Sequence, residues 1–130
     1  ALHRLRADLS VAAPDSVDEA AALLNAWPQG TRVVLVGGDG TVHRLLPALL
    51  ARDAELALVP AGSGDDTARA LGLHGLPWRD ALGLALTAPA RRWDLAEVRT
   101  PAERRPFVSS LCAGFDAAIA GRAQRLPAWV

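Results

Sequence analysis

The chain has 130 residues, 51% of them hydrophobic, and 14 acids balance 14 basic residues to a formal net charge of +0. That length allows one modest domain burying about two-thirds of its unfolded surface, and the balance excludes an overall field that would favour nucleic acid or a charged membrane. All 14 basic residues are arginine, which excludes P-loop and protein kinases built around a lysine; phosphate has to be held by backbone amides, arginine or metal.

With no methionine in the chain, Ala1 is not expected to be a natural start. Cys112, the single cysteine, cannot form an internal disulfide and sits in an apolar run, so a packed thiol is expected. The apolar runs are far shorter than the ~20 residues that span a bilayer, and no secretory signal is present, so a cytoplasmic location is expected. The pairs Arg91-Arg92 and Arg104-Arg105 read as solvated charge.

In chain order, His3 to Leu9 alternates apolar and polar and predicts a strand. Ser16-Val17-Asp18-Glu19 is a capping box ahead of an apolar run from Ala20 to Trp27, stopped by Pro28 and Gly30, which predicts a helix. Val33-Val34-Leu35-Val36 reads as a parallel strand buried on both faces. It runs into Gly37-Gly38-Asp39-Gly40, and Leu45, Leu46, Leu49 and Leu50 then mark one face of a helix. The pattern repeats with a strand at Leu56 to Val59, a tight loop at Pro60 to Gly64, and a short helix from Asp65 to Leu71 closed by Gly72. Trp78 to Leu86 predicts another helix, and Trp93 to Val98 and Phe107 to Leu111 predict strands. Alternating strands and helices imply an α/β layer with a mostly parallel sheet. The helical period fades after Leu86, so the first domain is expected to end near Arg99 to Pro106.

Each glycine loop follows a buried strand and opens a helix, where unpaired amides and the helix dipole favour an anion. Gly37, Gly38 and Gly40 remove side chains that would hold a phosphate away from the backbone. Asp39 would repel that phosphate unless a divalent cation bridges the two or the carboxylate takes a proton during chemistry. Gly62-Ser63-Gly64-Asp65-Asp66 repeats the arrangement with a hydroxyl and two acids. Either acid alone could simply cap a helix. The two loops together point to nucleotide phosphate and metal binding.

Val36-Gly37-Gly38-Asp39-Gly40-Thr41-Val42 resembles the GGDGT signature of diacylglycerol, sphingosine, ceramide and NAD kinases. The stretch from Val59 to Gly72, VPAGSGDDTARALG, resembles the lipid-kinase signature PxGTxNDFARxLG. Trp93-Asp94-Leu95 is similar to a family strand carrying an aspartate, and Phe107 to Ala117 is similar to FxNVAGIGFDA, where the second domain begins. The chain is thus identified as resembling the diacylglycerol kinase catalytic-domain family along essentially its whole length.

The resemblance implies a three-layer α/β nucleotide-binding domain with a mostly parallel sheet over residues 1–104, lacking its first strand and helix. Residues 105–130 would begin a truncated β-rich lipid-binding domain. It implies transfer of the γ-phosphate of ATP to the hydroxyl of diacylglycerol or a related lipid, with Mg2+, by an enzyme that meets the membrane surface transiently. This piece alone is expected to be inactive, not to bind nucleic acid, and to be able to form a homodimer. Asp39, Asp66 and Asp94 match acids that organise metal, water and the reacting phosphate, directly or through water. Ser10, Gly37, Gly38, Asp39, Gly40, Thr41, His43, Gly62, Ser63, Gly64 and Asp65 match positions around the nucleotide. The sequence departs from the pattern at His43-Arg44 (Asn-Glu in the family), Asp65 (Asn), Thr67 (Phe) and Ser109 (Asn). Alternatives are an NAD kinase-like enzyme, which would lack the GSGDDTAR stretch, and a nucleotide-binding module without efficient catalysis, favoured by His43-Arg44.

Overall fold

The computed structural model describes residues 9–112 and 114–123. Most of the strand expected from His3 to Leu9 lies outside them, and Leu9 and Ser10 are irregular and exposed.

The first helix, α1 (Val17–Ala26), starts as its capping box dictates: the Ser16 hydroxyl accepts from the Glu19 amide at 3.1 Å. The Glu19 carboxylate reaches one residue further back than the usual box, accepting from the Asp15 amide at 2.8 Å. β1 (Arg32–Gly37) and β2 (Glu55–Pro60) pair in parallel, from Arg32↔Glu55 to Gly37↔Pro60. An exposed Arg32–Glu55 ion pair of 2.9 Å marks the start of that ladder. The crossover between them is α2 (Asp39–Ala51), giving a mixed α/β unit. Pro47 sits inside α2, where its missing N–H leaves the His43 carbonyl without its helical donor.

The two faces of the strand pair bury different helices. Val33 and Leu35 of β1 and Leu56 of β2 pack against Leu24 of α1 and Leu45 and Leu49 of α2. The same face continues through Leu58 to Val42 and to Ala68 of α3 (Asp66–Ala70). On the other face, Val34, Ala57 and Val59 meet Ala81 and Ala85 of α4 (Trp78–Thr87), small residues that let the helix approach closely. β1 is not buried on both faces throughout, as its apolar run predicted. Val36 is 68% exposed because α4 covers β2 more fully than the end of β1. Leu50 is likewise exposed, while Val42, Leu45, Leu46 and Leu49 form the buried stripe of α2 at helical spacing.

The later strands differ from expectation. β3 (Ala96–Arg99) and β4 (Arg104–Phe107) form an antiparallel hairpin in a separate sheet. Thr100-Pro101-Ala102-Glu103 turns it: the Thr100 amide donates to the Glu103 carbonyl at 2.9 Å, and the Glu103 amide to the Thr100 hydroxyl at 3.1 Å. Trp93 to Leu95 and Val108 to Leu111 are therefore outside strands; Ser109, at φ 72, breaks extension after β4. Gly114 leads into α5 (Phe115–Ala123), and Cys112 is exposed rather than packed. No helix among the described residues is long and apolar enough to cross a membrane.

Two helices end in the same hydrogen-bonded motif built on different residues. After α3, the Leu73 amide bonds the Ala68 carbonyl at 2.8 Å and the Gly72 amide bonds Arg69 at 3.0 Å, with Gly72 left-handed at φ 71. After α2, the Ala54 amide bonds Leu49 at 3.0 Å and the Asp53 amide bonds Leu50 at 3.1 Å, but Asp53 (φ 47) holds the left-handed position. This is the Schellman closure, in which glycine is preferred.

At the carboxyl ends of β1 and β2 the two glycine loops lie side by side, as the sequence predicts. The Ala61 amide donates to the Gly37 carbonyl at 3.0 Å. A Cβ on Gly38 would lie 2.8 Å from the Gly62 Cα, and one on Gly62 would lie 2.7 Å from the Gly38 Cα. Backbone touches backbone there, with no flexible side chain to yield.

Gly62→Ala is expected to cost at least about 1–3 kcal/mol through overlap at a rigid contact. Gly83→Ala, in α4 with open space around it, is expected to add about 0.5–1 kcal/mol from helix propensity. Asp53→Gly is expected to stabilise and Gly72→Ala to destabilise, each by about 1 kcal/mol, the cost of left-handed backbone in a non-glycine residue. Thermal melting of the four variants checks all of these; a neutral Gly62→Ala would refute the backbone contact.

Candidate functional site

The first loop becomes the start of α2. Gly38 is the N-cap, with extended backbone and no side-chain cap, and its carbonyl already accepts from the Thr41 and Val42 amides. Gly38 therefore supplies no side-chain cap to the opening amides of this 13-residue helix, at the end where its dipole is positive. Gly40 is exposed, and a Cβ there would meet only the Arg44 guanidinium, at 3.8 Å. Arg44 folds back so that its Nε donates to the Gly40 carbonyl at 3.1 Å, bringing positive charge to the loop.

The second loop is shaped by Asp65, in left-handed backbone at φ 54 and ψ 36. Asparagine and aspartate tolerate that region better than other non-glycine residues, which accounts physically for a residue of this type between Gly64 and the helix. The Asp65 carboxylate turns back to accept from the Gly62 amide at 3.1 Å, so it does not cap α3 although it holds the N-cap position. Arg69 pins the loop from the other side, donating to the Gly64 carbonyl at 2.5 Å and to Asp66 Oδ1 at 2.9 Å. Ser63 and Gly64 remain exposed.

The cap of α3 comes from the first loop. Asp39 Oδ2 accepts from the Asp66 amide at 3.0 Å and Asp39 Oδ1 from the Thr67 amide at 2.8 Å, across 27 and 28 residues of sequence. Thr67 is only 3% exposed. Burial pushes the Asp39 carboxyl up, but hydrogen bonds from the Thr67 amide and hydroxyl and the Asp66 amide outweigh it and hold the group below its ordinary value.

The structure therefore gathers Gly37, Gly38, Asp39, Gly40, Thr41, Gly62, Ser63, Gly64, Asp65 and Asp66 at one place. His43 lies half-buried a turn further along α2. Asp94 is exposed and lines a cavity of about 430 Å³ with Trp93, Phe107, Ser109 and Ala70, the last residue of α3. Ser10 lies in the irregular segment before α1, with no side-chain hydrogen bond to either loop. Among the described residues no group of three or more His, Cys, Asp or Glu side chains could hold a metal ion. Sequence reasoning missed Arg69 as the pin of the second loop, although its spacing of three from Asp66 on a helix was a usable signal.

The chain matches the family model of the diacylglycerol kinase catalytic domain over residues 1–98. It is similar to the diacylglycerol kinase of Mycobacterium tuberculosis, with 30% identity over 126 residues that cover 95% of this chain and 41% of the relative. It is also similar to a Chromohalobacter salexigens protein named "Probable lipid kinase YegS-like", 36% identical over 92 residues (68% of this chain, 28% of the relative). A Pseudomonas fluorescens protein of the same name is 46% identical over 70 residues (52% and 23%). The chain thus spans less than half the length of these curated relatives. No solved structure is a significant match. With a family model covering most of the chain and two glycine loops meeting at the carboxyl ends of a parallel strand pair, this chain belongs to the diacylglycerol kinase catalytic domain family.

Proposed function

We propose that this chain is the nucleotide-binding part of an ATP-dependent lipid kinase that phosphorylates the hydroxyl of diacylglycerol or a related lipid. The observation that carries this reading is the Gly38–Gly62 contact, which sets the uncapped start of α2 beside an exposed Ser-Gly turn. In the whole enzyme, residues 1–104 belong to a three-layer nucleotide domain with further parallel strands, and residues 105–130 lead into a lipid-binding domain. Transient contact with a membrane surface would deliver the acceptor, and the whole enzyme would be able to form a homodimer.

In this reading the amides of Asp39 and Gly40 hold phosphate oxygens, and the absence of a Gly40 side chain lets them approach. Ser63, exposed in the neighbouring turn, would add a hydroxyl donor to the same phosphate. Arg44 supplies the charge that a lysine supplies in other kinases, so its presence in place of the family's glutamate is adaptation rather than damage. The acceptor's hydroxyl oxygen attacks the γ-phosphorus, the bond to the β–γ bridging oxygen breaks, ADP leaves, and the hydroxyl proton is released to solvent. Mg2+, which the resemblance implies, would neutralise phosphate charge when bound. Among the described residues no three acids converge on a site for it: Asp39 accepts from amides, Asp66 pairs with Arg69, and Asp94 lines the cavity beyond α3. Phosphate holding therefore falls to amides and arginine here.

The test is equilibrium titration of the chain with ATP, ADP and adenosine, and phosphate transfer from labelled ATP to diacylglycerol in mixed micelles by the full-length protein. ATP and ADP are expected to bind and adenosine not to. Arg44→Glu is expected to weaken ATP binding about tenfold, the scale of one charge-assisted contact, with the melting temperature unchanged. Equal affinity for adenosine and ATP would sink the phosphate site, and absence of transfer to any lipid acceptor would sink the lipid-kinase reading.

A further inference from the structure

We infer that Asp39 is a positioning residue, a carboxylate clamp that holds the two phosphate loops in one geometry, and neither the proton-accepting base nor a metal ligand. The inference rests on the proposed phosphate site for its functional meaning, but the clamp is a property of the fold by itself.

Both carboxylate oxygens are committed. Oδ1 takes the Thr67 amide at 2.8 Å and Oδ2 the Asp66 amide at 3.0 Å, two successive donors at the start of α3. These are the first two of the unpaired amides at a helix start, and the second is one that an N-cap side chain normally satisfies from within its own segment. Asp65 cannot do so: its backbone is left-handed and its carboxylate is held by the Gly62 amide. A five-residue helix closed by glycine has little stability of its own, so the distant cap fixes where the second loop begins.

The surroundings are shaped for this role. A Cβ on Gly64 would come within 3.3 Å of Asp39 Oδ2, so that glycine leaves the carboxylate room. The Gly38–Gly62 contact leaves no space for another side chain between the loops. Among the hydrogen bonds of the described residues, those of Asp39 are the side-chain links between the two loops; the remaining link is the Ala61 amide on the Gly37 carbonyl. Asp66, the neighbouring acid, is turned to Arg69 instead. A base taking the acceptor's proton would weaken the amide bond to the oxygen that receives it, and a metal ion would compete with the amides for the same lone pairs. Either event would loosen the loop at the moment phosphate must be held still.

The experiment is residue-resolved amide hydrogen exchange on the whole chain, alongside ATP-dependence kinetics of the full-length enzyme. In the wild type the Asp66 and Thr67 amides are expected to exchange slowly, and adding Mg2+ alone is expected to leave them protected. In Asp39→Ala both should exchange at least about tenfold faster. In Asp39→Asn, with one acceptor oxygen left, one of the two should keep its protection, a partial rescue that a general fold defect would not give. In the enzyme, Asp39→Asn should raise KM for ATP by about tenfold, the scale of a lost charge-assisted bond, more than it lowers kcat. Release of both amides by Mg2+ in the wild type would overturn the clamp, as would unprotected wild-type amides or a variant that loses kcat with KM unchanged. Should Asp39→Ala fail to fold, the wild-type and Asp39→Asn exchange readings still decide. If the wild type binds no ATP, the phosphate site fails while the exchange data judge the clamp separately.

Discussion

The site is organised by the approach of two backbone segments with no side chains between them. At the carboxyl ends of β1 and β2, Gly38 and Gly62 stand so close that a Cβ on either would lie within 2.8 Å of the other's Cα. That contact is allowed because the paired strands end in register, Gly37 opposite Pro60, which delivers both chains to the same level. Everything proposed for the site depends on it. The start of α2, the exposed serine turn and the start of α3 are brought together because neither loop carries bulk at the crossing. A sheet with the same register and alanines at these positions would hold the same helices and have no common loop cluster.

The core explains why the strand pair ends where it does. Helices on its two faces bury alternate residues: Val33, Leu35, Leu56 and Leu58 on one side, Val34, Ala57 and Val59 on the other. A slip of one residue in either strand would exchange these sets and separate the glycines. Packing therefore fixes the register, and the register fixes the site. Neutral charge and scattered ion pairs contribute little by comparison, since the four pairs among the described residues are all exposed or partly so.

Much of this was legible in sequence, for reasons that differ by element. The α1 start was readable because Ser16 and Glu19 act within one turn, and the α3 end because Gly72 is needed for a left-handed residue. The glycine loops were readable because each follows an apolar run and opens a helix. The hairpin of β3 and β4 was misplaced by several residues: its exposed strands carry little apolar pattern, and the signal lay in the turn Thr100 to Glu103. The exposure of Val36 and Cys112 could not be read from apolar runs, which say nothing about whether a neighbour covers them. The hydrogen-bond partners of Asp39 could not be read for a related reason. Its chemistry as an acid is visible in one dimension, but its partners lie 27 and 28 residues away and are backbone amides, which carry no residue identity.

That separation also bears on how the chain folds. A helix capped from within its own segment can form early, on local contacts alone, whereas α3 takes its cap from across the βαβ crossover. The loop closed by this contact includes α2 and β2, so its entropy must be met before the cap rewards it. α3 is consequently expected to order late, after the parallel ladder has zipped to its carboxyl end. Partly folded chains can hold α1, α2 or the ladder's beginning and still present no organised second loop to a chaperone, a protease or a nucleotide.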